Sequence, residues 1–374
     1  MKILQITSHL NVGGISRYVL SLSRHLAGKG HQVCIASAGG SLEKSCNYER
    51  VRFLPVPLNT SQEFSPRIFK TVRELTCYLE REPVDVIHAH TRVAQVVADR
   101  VSRRMKIPYV TTWHGIYKRR IGRLLYPCTG DAVIAISGIV REHLLKDFQV
   151  PSERIHLVYN GIDTAYHAVA PDDALIRKYR DRFKIPEGRP VIGGIGRLAA
   201  GEVKGFDLLL AAACLLKETF PDIQVLIVGD GPRRPFLEDV AERLGIFSQV
   251  HFVGGVEDVR VPLSFLDVFV FPSRWPEAFG LTLIEAMAAG KAIVATRMGA
   301  VSEILRDGRD GWVVPPEDIQ AIAEKIAMLL SDPALARTMG QQAQLRAHDQ
   351  FDIGRMVTEV EQVYEEVINK QKSY

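Results

Sequence analysis

The sequence lacks any long apolar run. None of its 374 residues lies in a stretch approaching the roughly 18 apolar residues that a membrane-spanning helix requires. The most apolar helical pattern, "DLLLAAACLLKETF", is better explained as a core helix. The start, "MKILQITSHLNVGG", runs directly into a strand pattern and a glycine loop, without a signal-peptide cleavage region. We therefore expect a cytoplasmic protein.

Patterns typical of disulfide, metal and dinucleotide sites are also scarce. Five scattered cysteines, none in C-x-x-C spacing, indicate structural thiols. No D-x-D pair occurs, which disfavours a metal-held diphosphate. His88 and His90 share one face of a strand, but the spacing shows no further metal ligands. The complete G-x-G-x-x-G pattern is missing, so a dehydrogenase is a distant alternative.

What the sequence does contain is a regular alternation of apolar runs and helical patterns. The runs "KILQIT", "QVCIAS", "DVIHAH", "YVTTWH" and "AVIAIS" form one series, and "VIGGIG", "IQVLIVG", "VHFVG", "LDVFVFP" and "KAIVAT" form a second. This alternation predicts an α/β protein with two facing Rossmann-like domains, each with a parallel sheet. We place the boundary near residue 168 and expect ligands in an interdomain cleft, beyond the carboxyl ends of the strands.

Residues 272–290, "PSRWPEAFGLTLIEAMAAG", combine a loop glutamate with a helical glutamate. Glu277 lies in the loop, and Glu285 lies in a run of helix-forming residues. The helix N-terminus lies between them. There the amides of Phe279, Gly280 and Leu281 are predicted to bind a diphosphate. The carboxylates on either side indicate contacts with hydroxyl groups. Trp275 and Phe279 either stack on a sugar or base or fix the loop by packing.

Other loops at strand ends carry further candidate residues. Gly13 and Gly14 allow close approach of an anion, or they form only a tight turn. Arg197 and Lys204 follow the first strand of the second domain, where they either bind phosphate or are ordinary solvated cations. His114 ends a strand as either a structural or a catalytic histidine.

Taken together, these motifs resemble the retaining glycosyltransferases of family 4, which have the GT-B fold. "PEAFGLTLIEA" matches the E-x7-E signature, and "NVGG", "TWHG", "YNGID", "GRL", "LIVGDGP" and "VHFVGGV" occur in the family's order over nearly the whole chain. The resemblance implies an acceptor-binding domain over 1–168 and a nucleotide-sugar-binding domain over 169–350. It also implies that 351–374 is a helix crossing back to the first domain.

The resemblance assigns roles to the candidate residues. Glu285 would bind the ribose, Glu277 the donor sugar, and His114 would lie beside the reacting sugar. Asn160 and Asp163 would lie at the interdomain connection. The diphosphate and base would be held by Arg197, Lys204, Gly13, Gly14, the amides of Phe279, Gly280 and Leu281, and the backbone near Gly254. The catalytic set would be His114, Glu277, Arg197 and Lys204.

Two departures from the family pattern are visible. The family spaces its arginine and lysine as R-x4-K, whereas six residues separate Arg197 from Lys204. The segment "GAVSE" stands where the family has G-G-x-P-E. The loop near Glu303, and with it the choice of donor, is therefore expected to differ.

The expected function is transfer of a sugar, with retention, from a nucleotide diphosphate sugar to a hydroxyl acceptor in envelope polysaccharide, lipopolysaccharide or glycolipid synthesis. No cofactor or metal is expected. The donor is a substrate, and a UDP-sugar is favoured over a GDP- or ADP-sugar. A non-catalytic sugar-nucleotide-binding scaffold, or a phosphorylase or epimerase of the same fold, remains an alternative.

Charge divides unevenly along the chain. Residues 1–168 carry 23 Lys and Arg against 13 Asp and Glu, a formal charge of +10, and the remainder carries −6. The basic half mixes cations with apolar residues at Arg103, Arg104, Lys118, Arg119, Arg120 and Arg123. This composition predicts peripheral attachment to the anionic cytoplasmic face of the inner membrane, where a lipid-linked acceptor would lie. An ordinary solvated face is the alternative, and no nucleic acid partner is expected.

Overall fold

A computed structural model describes residues 1–201 and 204–372. The chain divides into two compact units. Unit 1 comprises Met1–Gly161 together with the C-terminal segment that begins at Ile353. Unit 2 comprises Ile162–Asp352.

Unit 1 contains a seven-stranded sheet in which every named strand pair is parallel. Its strands are β1 (Lys2–Ile6), β2 (Gln32–Ser37), β3 (Val51–Pro55), β4 (Val86–Ala89), β5 (Tyr109–Trp113), β6 (Ala132–Ala135) and β7 (Ile155–Leu157). Its first five α-helices are α1 (Gly14–Gly28), α2 (Pro66–Arg81), α3 (Arg92–Met105), α4 (Ile121–Leu125) and α5 (Gly138–Phe148). The strand order is β3-β2-β1-β4-β5-β6-β7, so the connections reverse direction at β1 and β4, where such sheets place ligands.

Unit 2 contains a six-stranded parallel sheet in the order β10-β9-β8-β11-β12-β13. Its strands are β8 (Val191–Ile195), β9 (Gln224–Val228), β10 (Val250–Phe252), β11 (Val268–Phe271), β12 (Ala292–Thr296) and β13 (Trp312–Val314). Its helices are α6 (Thr164–Ala168), α7 (Asp173–Phe183), α8 (Phe206–Leu216), α9 (Arg234–Arg243), α10 (Arg260–Phe265), α11 (Leu281–Ala288), α12 (Val301–Ile304), α13 (Ile319–Ser331) and α14 (Pro333–Phe351). Here the order reverses at β8 and β11, so the loops after these two strands meet.

The last helix, α15 (Ile353–Lys372), belongs to unit 1. Its buried residues, which include Val360, Val363 and Tyr364, join the core formed by α1 and the sheet. Their spacing of three and four residues places them on one helix face, which explains why this polar-rich helix packs there.

The chain passes from unit 1 to unit 2 between Gly161 and Ile162, close to the boundary predicted near residue 168. The segment after the crossing is tied to unit 2 at its start. Asp163 caps α6 by accepting a hydrogen bond from the Tyr166 amide at 2.8 Å. The Thr164 hydroxyl donates to Asp352 at 2.5 Å.

The sequence patterns predicted the central strands but missed β3, β7 and β13. The strand β3 contains Arg52 and ends in Pro55, and its side chains are partly buried or exposed. The strands β7 and β13 have three residues each. All three lie at sheet edges, where strands are short and need not be uniformly apolar.

Candidate functional site

In unit 2, the loop after β11 leads into the N-terminus of α11. Gly280 precedes the helix with a φ of +111°, a left-handed conformation that favours glycine. The helix then begins at Leu281. The Leu283 amide in the first turn donates to the Gly280 carbonyl at 3.0 Å. The amides that begin a helix have no carbonyl partner four residues back, which is why anion binding at this end stays a prediction.

Glu277 is held tightly in this loop. Its carboxylate Oε1 lies 2.5 Å from the Lys204 ammonium and accepts a hydrogen bond from the Ser273 hydroxyl at 3.1 Å. Its carbonyl accepts from the Ala300 amide at 3.0 Å. The structure therefore brings together two predicted site residues, Glu277 and Lys204, from the loops after β11 and β8.

The longer spacing between Arg197 and Lys204 does not remove the lysine from this site. Residues 202–203, within that spacing, lie outside the described residues. Lys204 still reaches Glu277, and its Nζ lies 5.5 Å from the Phe271 ring centroid. Arg197 is exposed and lines a depression that Lys204 also lines.

Two residues of this region escaped the sequence analysis. Arg233 lines the same depression as Arg197 and Lys204, so a third cation joins the two predicted ones. Gly299 has a φ of +60°, and a Cβ there would lie 2.1 Å from the Glu277 carbonyl oxygen. Its position in "GAVSE", the variant of the family's G-G-x-P-E segment, was the available signal.

The remaining unit 2 candidates have distinct environments. Glu285 is 8% exposed, one turn into α11. Gly254 follows β10 with a φ of +73°. Its carbonyl accepts a hydrogen bond from the Gly229 amide at 2.8 Å. Phe279 is buried with its ring against Phe351, which supports the interpretation that Phe279 fixes the loop by packing. Trp275 is exposed.

In unit 1, Gly13 directly precedes α1 and Gly14 is the first residue of that helix, and both are exposed. Gly13 has extended backbone angles that any residue adopts, with a φ of 169°. A Cβ on Gly13 would meet nothing closer than the Asn11 carbonyl oxygen at 3.9 Å. The fold itself therefore does not require glycine at position 13, and the tight-turn explanation loses its physical basis there.

His114 follows β5, half-buried, beside two buried histidines. Its Nε2 lies 3.3 Å from His90 Nδ1, and the Tyr18 ring packs edge-on against it at 4.8 Å. Burial lowers the pKa of His114 to about 3. His88 lies on β4 and His90 directly follows the strand, and their ring centroids are 4.1 Å apart.

Both halves of the chain are similar to known glycosyltransferases. Residues 12–166 match Glycosyltransferase Family 4, and residues 176–346 match Glycosyl transferases group 1. The N-acetyl-alpha-D-glucosaminyl L-malate synthase of Bacillus anthracis is 27% identical over 98% of each chain. The phosphatidyl-myo-inositol mannosyltransferase of Mycolicibacterium smegmatis is 29% identical over 95% of this chain and 90% of its own.

Solved structures agree with this assignment at the level of fold. A glycosyltransferase from Rickettsia africae ESF-5 has a TM-score of 0.89, with 24% identity over 98% of each chain. Anabaena HepE, solved with UDP-glucose, has a TM-score of 0.81 and 22% identity over 100% of each chain. Two Rossmann-like units and these relatives define a GT-B glycosyltransferase. The chain belongs to glycosyltransferase family 4, as its motifs predicted.

Proposed function

We propose that this glycosyltransferase moves a sugar from a nucleoside diphosphate sugar to a hydroxyl acceptor with retention at the anomeric carbon. The observation that carries the proposal is the 2.5 Å pair between Lys204 and Glu277 at the point where the unit 2 strand order reverses. It places an ammonium suited to phosphate and a carboxylate suited to sugar hydroxyls side by side, next to a helix N-terminus.

Management of charge explains how these groups would promote transfer. As the glycosidic bond breaks, negative charge grows on the diphosphate and positive charge on the sugar. Lys204, Arg197 and the N-terminus of α11 would stabilise the leaving diphosphate more strongly in the transition state than in the bound donor. We propose that the diphosphate draws Lys204 away from Glu277, which frees the carboxylate for the sugar hydroxyls.

The other candidate residues would complete donor recognition. Glu285 would accept hydrogen bonds from the ribose hydroxyls, and the backbone around Gly254 would contact the base. His114 would lie beside the donor sugar. The acceptor hydroxyl would attack from the face that the diphosphate leaves, with a phosphate oxygen taking up its proton. We favour a UDP-sugar, as bound by the structural relative HepE.

We propose that transfer needs no metal ion. The chain has no D-x-D pair to hold a metal-bound diphosphate. Arg197, Lys204 and Arg233 together with the helix N-terminus offer the positive charge that a metal would otherwise supply.

The basic surface of unit 1 suggests where the acceptor lies. Lys118, Arg119 and Arg120 are exposed just before α4, whose Ile121 and Leu125 are 76% and 80% exposed. Exposed apolar residues beside cations suit an anionic lipid surface. No helix in the described ranges is long and apolar enough to cross a membrane. We therefore propose peripheral attachment at the cytoplasmic face of the inner membrane and an envelope glycan or lipid-linked acceptor.

A donor panel tests the proposal. UDP-, GDP- and ADP-sugars are compared by thermal shift, since a ligand at 100 times its Kd adds about 2.7 kcal/mol of stability. The donor that stabilises the protein is then incubated with candidate acceptors, and NMR reads the anomeric configuration of the product. Inversion would contradict retention. Release of a sugar phosphate that depends on inorganic phosphate would identify a phosphorylase instead.

A further inference from the structure

A chain of buried hydrogen bonds links α15 to His114 within unit 1. Gln5 on β1 donates through Nε2 to the Tyr364 hydroxyl at 3.1 Å. Gln5 Oε1 lies 2.5 Å from His90 Nε2, and His90 Nδ1 lies 3.3 Å from His114 Nε2. Gln5, His90 and Tyr364 are 0% exposed, so each of them depends on its hydrogen-bond partners inside the protein rather than on bulk solvent.

With the Gln5 amide oriented as it is in the structure, the hydrogen bonds of this network run in one direction. Gln5 Oε1 can only accept a hydrogen bond, so His90 carries its proton on Nε2. His90 Nδ1 is then a bare acceptor. The contact with His114 requires an N–H, so His114 carries its proton on Nε2 and keeps a lone pair on Nδ1.

A second branch of hydrogen bonds is compatible with this orientation of the Gln5 amide. The Tyr364 oxygen lies 2.6 Å from His88 Nδ1, and His88 Nε2 lies 2.7 Å from the Thr112 hydroxyl. Tyr364 has a single proton. When it donates that proton to His88, it must accept from Gln5, which keeps the Gln5 carbonyl turned toward His90.

All three histidines are neutral in this arrangement. Burial holds the pKa of His88 and of His90 well below the ordinary value, and it lowers that of His114 to about 3. A neutral imidazole has one donor and one acceptor nitrogen, so its tautomer decides what it offers a ligand.

We propose that Tyr364, Gln5 and His90 are positioning residues that hold His114 as the Nε2–H tautomer, so that its Nδ1 accepts a hydrogen bond from a hydroxyl of the donor sugar. The proposal rests on the proposed function, in which His114 lies beside that sugar. It gives the C-terminal helix a part in donor recognition, because Tyr364 on α15 determines which groups donate and which accept along this series of hydrogen bonds.

The test reads the tautomer and the activity separately. Ring-15N-labelled histidine reports the tautomer of His114 by NMR in the ligand-free, full-length protein. We expect a single neutral Nε2–H species at pH 7. In Tyr364→Phe, the Gln5 amide can turn, and we expect a mixture of His114 tautomers. With UDP-glucose as donor probe, kcat should fall about twofold to tenfold, the effect of one neutral hydrogen bond, while Kd for UDP stays unchanged.

Tyr109→Phe is the matched control, because it also removes a buried hydroxyl from unit 1, one that donates to Asp99 at 3.0 Å. It should leave both the His114 tautomer and kcat unchanged. Gln5→Met, which removes the acceptor for His90, should shift the tautomer further than Tyr364→Phe.

Two results would overturn the proposal. One is an Nδ1–H or doubly protonated His114 in the unaltered protein. The other is a tautomer that persists in both Tyr364→Phe and Gln5→Met. Absence of transfer from every donor in the panel would instead contradict the proposed function. The ligand-free spectra would still show which tautomer the hydrogen bonds impose on His114.

Discussion

Glu277 illustrates how the position of one candidate residue depends on its neighbours. Lys204 and Ser273 hold its carboxylate, and the turn at Gly299 and Ala300 holds its backbone. A side chain restrained by several partners keeps one rotamer, which is what recognition of a sugar hydroxyl requires.

Gly299→Ala tests the backbone support. Its Cβ would meet the Glu277 backbone, with the nearest atom at 2.1 Å. We expect transfer to fall at least tenfold while UDP affinity changes little. Gly308→Ala is the matched control, because Gly308 also has a positive φ, +73°, but its nearest neighbour, a Trp312 side-chain atom, is at 3.6 Å. Both variants carry the strain of alanine in a left-handed conformation, about 1–2 kcal/mol, so equal losses in transfer would contradict the role of the clash.

The two glutamates should separate nucleotide binding from sugar recognition. Glu285→Ala should weaken UDP binding about tenfold or more, because a hydrogen bond to a charged group contributes about 1.5–3 kcal/mol. Glu277→Ala should reduce turnover without weakening UDP binding, because the Glu277 carboxylate competes with the diphosphate for Lys204. Calorimetric titration with UDP measures both. Unchanged affinity in Glu285→Ala would exclude its ribose role.

At the scale of elements, α4 is unusual because it buries none of its residues. Not every predicted cation near it is available to lipid. Arg103 pairs with Asp99 at 2.9 Å, Arg119 lies more loosely at 3.9 Å from Asp147, and the Arg123 guanidinium lies 4.4 Å from the Tyr117 ring centroid. The exposed cations Lys118 to Arg120 directly precede the exposed apolar residues of α4, and they carry most of the membrane hypothesis for that reason.

Replacing Arg119 and Arg120 with Glu should abolish preference for anionic vesicles at low salt. Each cation near such a surface contributes about 1 kcal/mol, and salt should weaken the effect. Co-sedimentation with anionic and neutral liposomes measures it. The control changes the exposed neighbours Arg177 and Lys178 of α7 to Glu, which alters net charge equally in unit 2. If the control loses binding to the same extent, net charge rather than this surface is responsible.

At the scale of the whole molecule, the buried histidines should make stability depend on pH. Their folded pKa values lie below the ordinary 6.5, and that of His114 is about 3. The unfolded chain therefore binds more protons below pH 6.5, and stability present above that pH is lost as the pH falls toward the folded values. From its pKa of about 3, we expect His114 to cost about 2 kcal/mol of stability at pH 5 relative to pH 8, and His88 and His90 to lower stability in the same direction.

Urea unfolding at pH 8 and pH 5 measures this loss. Replacing Trp275 and Trp312 with Phe leaves Trp113, which is buried in unit 1, as the only tryptophan reporter. His90→Phe in that background should reduce the difference between the two pH values. An unchanged difference would assign the pH dependence to other groups.

Metal independence is also a property of the complete enzyme. Transfer should persist after treatment with EDTA and dialysis, because side chains and the α11 N-terminus are proposed to hold the diphosphate. Magnesium or manganese should add less than twofold. Loss of transfer with EDTA and its recovery with either ion would contradict this scheme.

The fold class could be predicted from sequence because strands buried on both faces must be apolar along their length. Local parts of the site could be predicted because their residues are close together in the sequence. Glu277, Gly280 and Glu285 lie in one continuous loop and helix, so their spacing follows from backbone geometry. The edge strands β3, β7 and β13 lack that apolar requirement and were missed.

Contacts between distant parts of the chain were decided by tertiary structure. Lys204 and Glu277 are 73 residues apart and meet because β8 and β11 are neighbours in the sheet. Gln5 and Tyr364 are 359 residues apart and meet because α15 packs on unit 1. By itself, the sequence determined which segments are buried and which loops can bind an anion, since both follow from local residue patterns. Strand order and helix packing decided which side chains touch, because these depend on how non-adjacent segments share one core.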